Sequence, residues 1–263
     1  MTRQFTDVTG PGGIHGAPND DAPLWAMGWD KRSVILACCF DRTWSYYRVP
    51  KASQTFDPKH GWYTEWPRIR ETLPGKSLMV MHGMMYDFPQ TFTNKNTAGI
   101  RPIASHLRYI PDFAAFNGKV VLGADETSIM QNPYAGESQS NLQFIDYDQL
   151  KSFGPGTGWG SVWMYYLTTA DKPSDPYLFA GFKTGVLHLS HRHAEPVKFQ
   201  AWKSIRPATV SGPRWKRSNF SATGYRRHMF QADTAGEWIL GSCRTRRATL
   251  GQVRLREPVS ARR

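Results

Sequence analysis

The 263-residue sequence lacks any apolar run approaching the length of a membrane span, which takes roughly 18 to 20 residues. Its opening stretch, MTRQFTDVTGPGGIHG, lacks the apolar centre of a secretory leader. Cysteine is scarce: Cys38, Cys39 and Cys243 are the only three, and no CxxC pair occurs. A disulfide-stapled scaffold and a zinc ribbon are thereby excluded, and the adjacent pair in VILACCF reads as buried thiols. GPGTGWG (154–160) lacks the Lys-Ser/Thr of a phosphate loop. His188, His191 and His193 are spaced three and then two apart, which suits no standard metal site. The expectation is no cofactor and no metal. Helical periodicity is also scarce. Acidic residues are few after position 200: residues 201–263 hold 14 Lys or Arg against 3 Asp or Glu, so nearly all of the net charge of +12 sits there. That charge attracts polyanions. It comes with no zinc-finger spacing and no RNP-like strand, so no specific nucleic-acid partner is expected.

What is present is a succession of short Val, Ile, Leu, Phe, Tyr and Trp runs between Gly, Pro, Asn and Asp clusters, the pattern of an all-β protein. In PDFAAFNGKVVLGAD (111–125), Asn117-Gly118 supplies the two left-handed positions of a type I′ turn between an aromatic and an aliphatic strand. Similar units open at Pro23 (PLWAMGWDKRSVILACC) and Pro176 (PYLFAGFKTGVLHLSH), with a looser copy at Pro74 (PGKSLMVMHGMMYDFPQTF). Their starts lie 51, 37 and 65 residues apart, straddling the roughly 40 to 50 residues of a four-stranded propeller blade. The spacing predicts a β-propeller of about five blades over residues 1–200, incomplete at one or both ends. Hairpins are expected near 28–32, 117–118 and 183–185. A β-sandwich or jelly roll is the competing architecture. Residues 201–263 read as a basic, irregular segment, a last-blade remnant or disordered, that adds little to the core. Within it TGYRRHMFQADTAGEWILGSC still alternates like a strand pair.

Polar clusters fall between these units. DPKHGWYTEWPRIRE (57–71) holds His60, Trp62, Tyr63, Glu65, Trp66 and Arg68. Aromatic faces beside arginine and carboxylate suit a sugar, whose C–H faces pack on rings and whose polar groups need directional partners. The competing reading packs the tryptophans between blades and pairs Glu65 with Arg68. In MHGMMYDFP, strand alternation would set His82, Met84 and Tyr86 on one face. ASHLRYIPDF adds His106, Arg108 and Tyr109. A histidine base (His82 or His106), a tyrosine acid (Tyr86 or Tyr109) and an arginine on the substrate carboxylate (Arg68 or Arg108) form a set able to run a β-elimination. Each histidine taken singly also reads as a buried structural residue. The polar stretch 123–144 contributes Asp125 and Glu126 as candidate partners of Glu65 in a glycosidase pair, which needs two carboxylates about 5 to 10 Å apart.

HGWYTEWPRIRE, HGMMYDFP, RPIASHLRYIPDF, MQNPYAGESQSNLQF and PSDPYLFAGF together resemble a family of uncharacterised bacterial β-propeller proteins associated with polysaccharide degradation, over roughly residues 10–199. In architecture the chain is similar to propeller polysaccharide lyases such as the ulvan lyases, whose sites combine His, Tyr and Arg. The resemblance implies a carbohydrate-active protein that cleaves or binds an acidic polysaccharide or oligosaccharide at a channel mouth, a lyase or a glycoside hydrolase if it is an enzyme. The alternative is a non-catalytic propeller that binds a glycan or a protein. Members of such families are exported, so a truncated start and a periplasmic or extracellular site are the matching expectations. No membrane partner is expected.

Overall fold

The computed structural model describes residues 4–11, 13–14, 19, 21–52, 68–106, 109–125, 141–191, 196–204, 215–222, 224–230, 237–243 and 249–256. The chain is all-β. Its strands are β1 (Gln4–Gly10), β2 (Gly13–Ile14), β3 (Leu24–Trp29), β4 (Val34–Phe40), β5 (Thr43–Val49) and β6 (Lys51–Ala52), followed by β7 (Arg68–Leu73), β8 (Lys76–Met81), β9 (Met84–Phe88) and β10 (Arg101–Ser105). Next come β11 (Tyr109–Phe116), β12 (Lys119–Asp125) and β13 (Asn141–Ile145), and a 3₁₀ helix, Tyr147–Ser152. The remainder is β14 (Gly158–Leu167), β15 (Tyr177–Leu178), β16 (Thr184–Ser190), β17 (Val197–Ser204), β18 (Trp215–Ala222), β19 (Tyr225–Phe230), β20 (Trp238–Cys243) and β21 (Thr249–Arg256). Among the described residues no helix is long and apolar enough to cross a membrane.

Four sheets result, with nine, five, four and three strands. The four-stranded sheet, β7 to β10, and the three-stranded sheet, β11 to β13, are antiparallel meanders of consecutive strands. Tight turns close them. Asn117 (φ 47°) and Gly118 (φ 74°) connect the paired residues Phe116 and Lys119, the left-handed pair expected of Asn-Gly. Asp41-Arg42 and His82-Gly83 do the same between Phe40 and Thr43 and between Met81 and Met84.

The sheets stack face to face, which explains the uninterrupted apolar run in β8. Met79 and Met81 face a core shared with Trp25, Leu36 and Val49 of the nine-stranded sheet, while Leu78 and Val80 face a second core with Phe113, Val120 and Leu122 of the three-stranded sheet. A third core joins Tyr177, Phe199 and Ile239 of the nine-stranded sheet to Leu187, Leu189 and Phe230 of the five-stranded one. The order is therefore five-, nine-, four- and three-stranded. Among the described residues no sheet closes on itself.

Two expectations are corrected. The unit opening at Pro176 is not a hairpin: β15 pairs with β20 and, in parallel, with β5, whereas β16 pairs with β19 and β21. Phe179 and Ala180 donate to the Glu237 carbonyl, and Gly181 (φ 83°) lies against Pro102, so the chain leaves β15 for another sheet. The segment after Ala201 does contribute to the core. Trp238 is 2% exposed in the first core and donates its Nε1–H to the Thr97 carbonyl (2.8 Å), and Ile239 and Cys243 lie in the third.

Candidate functional site

The sequence candidates are best located from the end of the four-stranded sheet. His82 is the first residue of a two-residue turn, held at φ 45°, a conformation uncommon outside glycine. The strand alternation expected for His82, Met84 and Tyr86 fails because the chain reverses at 82–83. His82 therefore caps the sheet end, and Tyr86 lies within β9. Tyr86 is fully buried and donates its hydroxyl to the Pro50 carbonyl (2.7 Å); burial pushes that hydroxyl well above its ordinary pKa. His106 follows β10 directly and its backbone N–H donates to the Gly83 carbonyl (2.8 Å), so both histidines sit at one sheet end. Each is 2% exposed. Arg68 opens β7 opposite Val80 and ion-pairs through Nε with Asp112 (3.4 Å), with Arg70 on the other oxygen (3.7 Å). Tyr109 and Asp125 face each other in register at the ends of β11 and β12. His60, Trp62, Tyr63, Glu65, Trp66, Arg108 and Glu126 lie outside the described residues.

Around this sheet end, Ala52 donates its N–H to the His82 carbonyl (3.0 Å), and Arg68 pairs with Val80, two residues from His82.

Sequence reading missed two further features. The first is Lys51, 7% exposed, whose Nζ donates to the Asp30 carbonyl (2.6 Å) and lies 5.9 Å from the Trp159 ring centroid. Burial pushes its amine down to about 8; the Asp30 carboxylate opposes this and Arg48 adds to it. Beside it His82, whose Nε2 is buried with no hydrogen-bond partner among the described residues, packs edge-on to Trp29 at 5.5 Å. Burial, and then the neighbouring Lys51, hold its imidazole well below the ordinary pKa. The Asp30 side chain is committed elsewhere, to Arg48 (3.2 Å) and Arg32 (2.7 Å); burial pushes its carboxyl up, and the two guanidiniums outweigh that and hold it below the usual value.

The second is the five-stranded sheet. Its strands, β6, β14, β16, β19 and β21, contain no Asp or Glu, but hold Lys51, Arg226, Arg227, Arg254 and Arg256. Edge strand β19 is exposed from Tyr225 to Arg227, with Tyr225 59% and Met229 46% exposed. His188 Nδ1 and Tyr225 Oη share a hydrogen bond (2.6 Å) and the rings stack at 30°. Arg227 pairs with His188 and Tyr225 with Ser190, so Tyr225, Arg227 and His188 share one face. A signal existed in TGYRRHMF, which alternates and is basic. His191 is buried, its N–H donating to the Gly224 carbonyl, and His193 lies outside the described residues. Among the described residues no three His, Cys, Asp or Glu side chains gather as a metal site. A cavity of about 20 Å³ lined by Trp163, Leu187 and Phe199 is apolar and offers no chemistry.

Neither a protein-family model nor a curated protein matches the chain. Among solved structures the chain is similar to a crystal structure of tripeptidyl peptidase 2 (TPP II), at 11% identity and a TM-score of 0.27, over 97% of this chain and 20% of that one. The chain spans about a fifth of that structure's length, and a likeness of this degree carries no argument.

Proposed function

We propose that the protein binds an acidic polysaccharide, as a non-catalytic module, and that its stacked sheets are blades of an incomplete β-propeller. The single observation behind the binding reading is the five-stranded sheet, with five cationic residues, no carboxylate in any strand, and an exposed Tyr225 and Arg227 beside a half-buried His188 on one face. An anionic sugar chain offers what that face needs: carboxylates for guanidinium groups and C–H faces for an aromatic ring. The face-to-face stacking of meander sheets supports the blade reading. Binding is favoured over cleavage because His106 is buried and Tyr86 is fully buried with its hydroxyl committed to the Pro50 carbonyl. A general acid or base has to reach the proton it moves.

The test is titration of the protein with a panel of uronic-acid polysaccharides and a neutral glucan, while following the ultraviolet absorbance of an unsaturated product. Saturable binding of the acidic members without that absorbance is expected. Absorbance that grows with time would restore the lyase reading. Equal binding of the neutral glucan, or binding of nucleic acid alone, would overturn the proposal.

A further inference from the structure

We infer that Lys51 and His82 form a subsite for one carboxylate of an acidic saccharide, a deepening that rests on the function proposed above. Four observations carry it. Lys51 and His82 are adjacent, 7% and 2% exposed, and no carboxylate pairs with either among the described residues. The Lys51 ammonium has three donors and uses one, on the Asp30 carbonyl, while the buried Nε2 of His82 uses none. Buried polar groups are otherwise almost always hydrogen-bonded and buried charges paired, so two such groups side by side call for an acceptor with negative charge. The Asp30 carboxylate does not fill it, because Arg48 and Arg32 hold both its oxygens.

The third observation is the strain at His82. A non-glycine residue at φ 45° in a two-residue turn costs free energy, and such positions persist where the surroundings over-determine them. The fourth is the register. Lys51 pairs with Trp159, Trp159 with Arg254, Arg254 with Val186, and Val186 with Met229. That row crosses the whole five-stranded sheet, about 19 Å at the usual strand spacing. Lys51 is thus the inner end of the row whose outer end borders the exposed Tyr225 and Arg227 and the half-buried His188. A saccharide group at Lys51 is withdrawn from water, which strengthens each charge-assisted hydrogen bond. Trp29 and Trp159 supply apolar walls.

A bound carboxylate favours the charged amine, so binding takes up a proton when the pH lies near or above 8. Calorimetry of the full chain with glucuronate at pH 8.5, in two buffers of different ionisation enthalpy, reads this directly. The expected result is binding with proton uptake, absent with glucose and with the glucuronate methyl ester, weakened at least tenfold in Lys51→Met and largely retained in Lys51→Arg. Should Lys51→Met not fold, acylation of the wild-type protein followed by mass spectrometry replaces it: glucuronate should slow modification at Lys51 and leave surface lysines unaffected. Failure of glucuronate both to bind with proton uptake and to protect Lys51, in a protein that still binds the polysaccharide, overturns this subsite and leaves the proposed function standing. Protection by inorganic sulfate but not by glucuronate also overturns it. Glucuronate binding through Lys51 in a protein that ignores every polysaccharide keeps the subsite and removes the polysaccharide reading.

Discussion

The four-stranded and the five-stranded sheets are assembled in opposite ways. In the first, every pairing joins consecutive strands, and the connections at 74–75 and 82–83 take two residues each. In the second, no two neighbours are consecutive: β21 lies between β14 and β16, and β6 arrives from near the start of the chain. The first is buried on both faces and carries Glu71 and Asp87 among its arginines; the second is exposed on part of one face and carries no carboxylate at all. Local pairing costs little loop-closure entropy, so the meanders form from their own turns. A sheet assembled from distant segments needs the rest of the core to exist first. The comparison places the unbalanced charge on the part of the molecule that is assembled non-locally.

The sharpest way to break that contrast is at Trp238, where a strand of the C-terminal segment enters the first core. Trp238→Ala should cost about 3–5 kcal/mol, read from urea unfolding. A cost below about 1 kcal/mol would make the C-terminal strands an appendage, as the sequence suggested.

Lys51 comes next, because it belongs to the five-stranded sheet yet bonds to Asp30 in the β3–β4 turn of the nine-stranded one. Its amine is held at about 8 against an ordinary 10.5, so between those values the unfolded chain binds a proton that the folded one does not. Stability therefore rises with pH across that window, by about 3 kcal/mol. Lys51→Met should remove the rise. His82, also held low, gives a second limb of the same sign: its contribution is full above 6.5 and is lost as pH falls below it, through the depressed folded value. Unfolding curves of His82→Asn, which tolerates a left-handed turn, should lack that acid limb. A wild-type acid limb that survives unchanged in His82→Asn assigns it to other groups.

A smaller effect is expected at Gly160, where an added Cβ would meet Tyr177 and the Arg32 carbonyl. Gly160→Ala should destabilise by about 1–3 kcal/mol through overpacking, with the shift in Tm as the measure. Smallest is Gly118→Ala, whose Cβ meets open space but whose φ of 74° disfavours it. About 1 kcal/mol is expected there. A larger loss at Gly118 than at Gly160 would reverse the ranking of local and non-local sheets.

The same contrast decides what the sequence disclosed. Asn117-Gly118 announces its turn in two letters, and the apolar runs around it announce the strands, whereas Pro74-Gly75, read as the opening of a unit, is the turn between β7 and β8. His82-Gly83 is a turn as tight, but histidine is not a usual turn former, so MHGMMYDF reads as one strand instead of a strand end, a turn and a new strand. The unit at Pro176 copies the hairpin pattern, yet the partners of β15 lie in β5 and β20, far along the chain, and no local pattern encodes them. That His82 and His106 lie at one sheet end depends on the register of β9 with β10, and that both are buried depends on packing between sheets. The basic tail was legible as charge, whereas its gathering on a carboxylate-free sheet needed the pairing of β21 between β14 and β16.

The most direct test of the central claim is the salt dependence of binding to a soluble uronic-acid polysaccharide, for wild type and for the Arg226→Glu, Arg227→Glu double variant, with folding checked by circular dichroism. The exposed strand β19 predicts that the folded double variant loses at least tenfold in affinity at low salt and has a shallower dependence on salt concentration. Equal affinity and an equal salt slope in the two folded proteins would contradict the account.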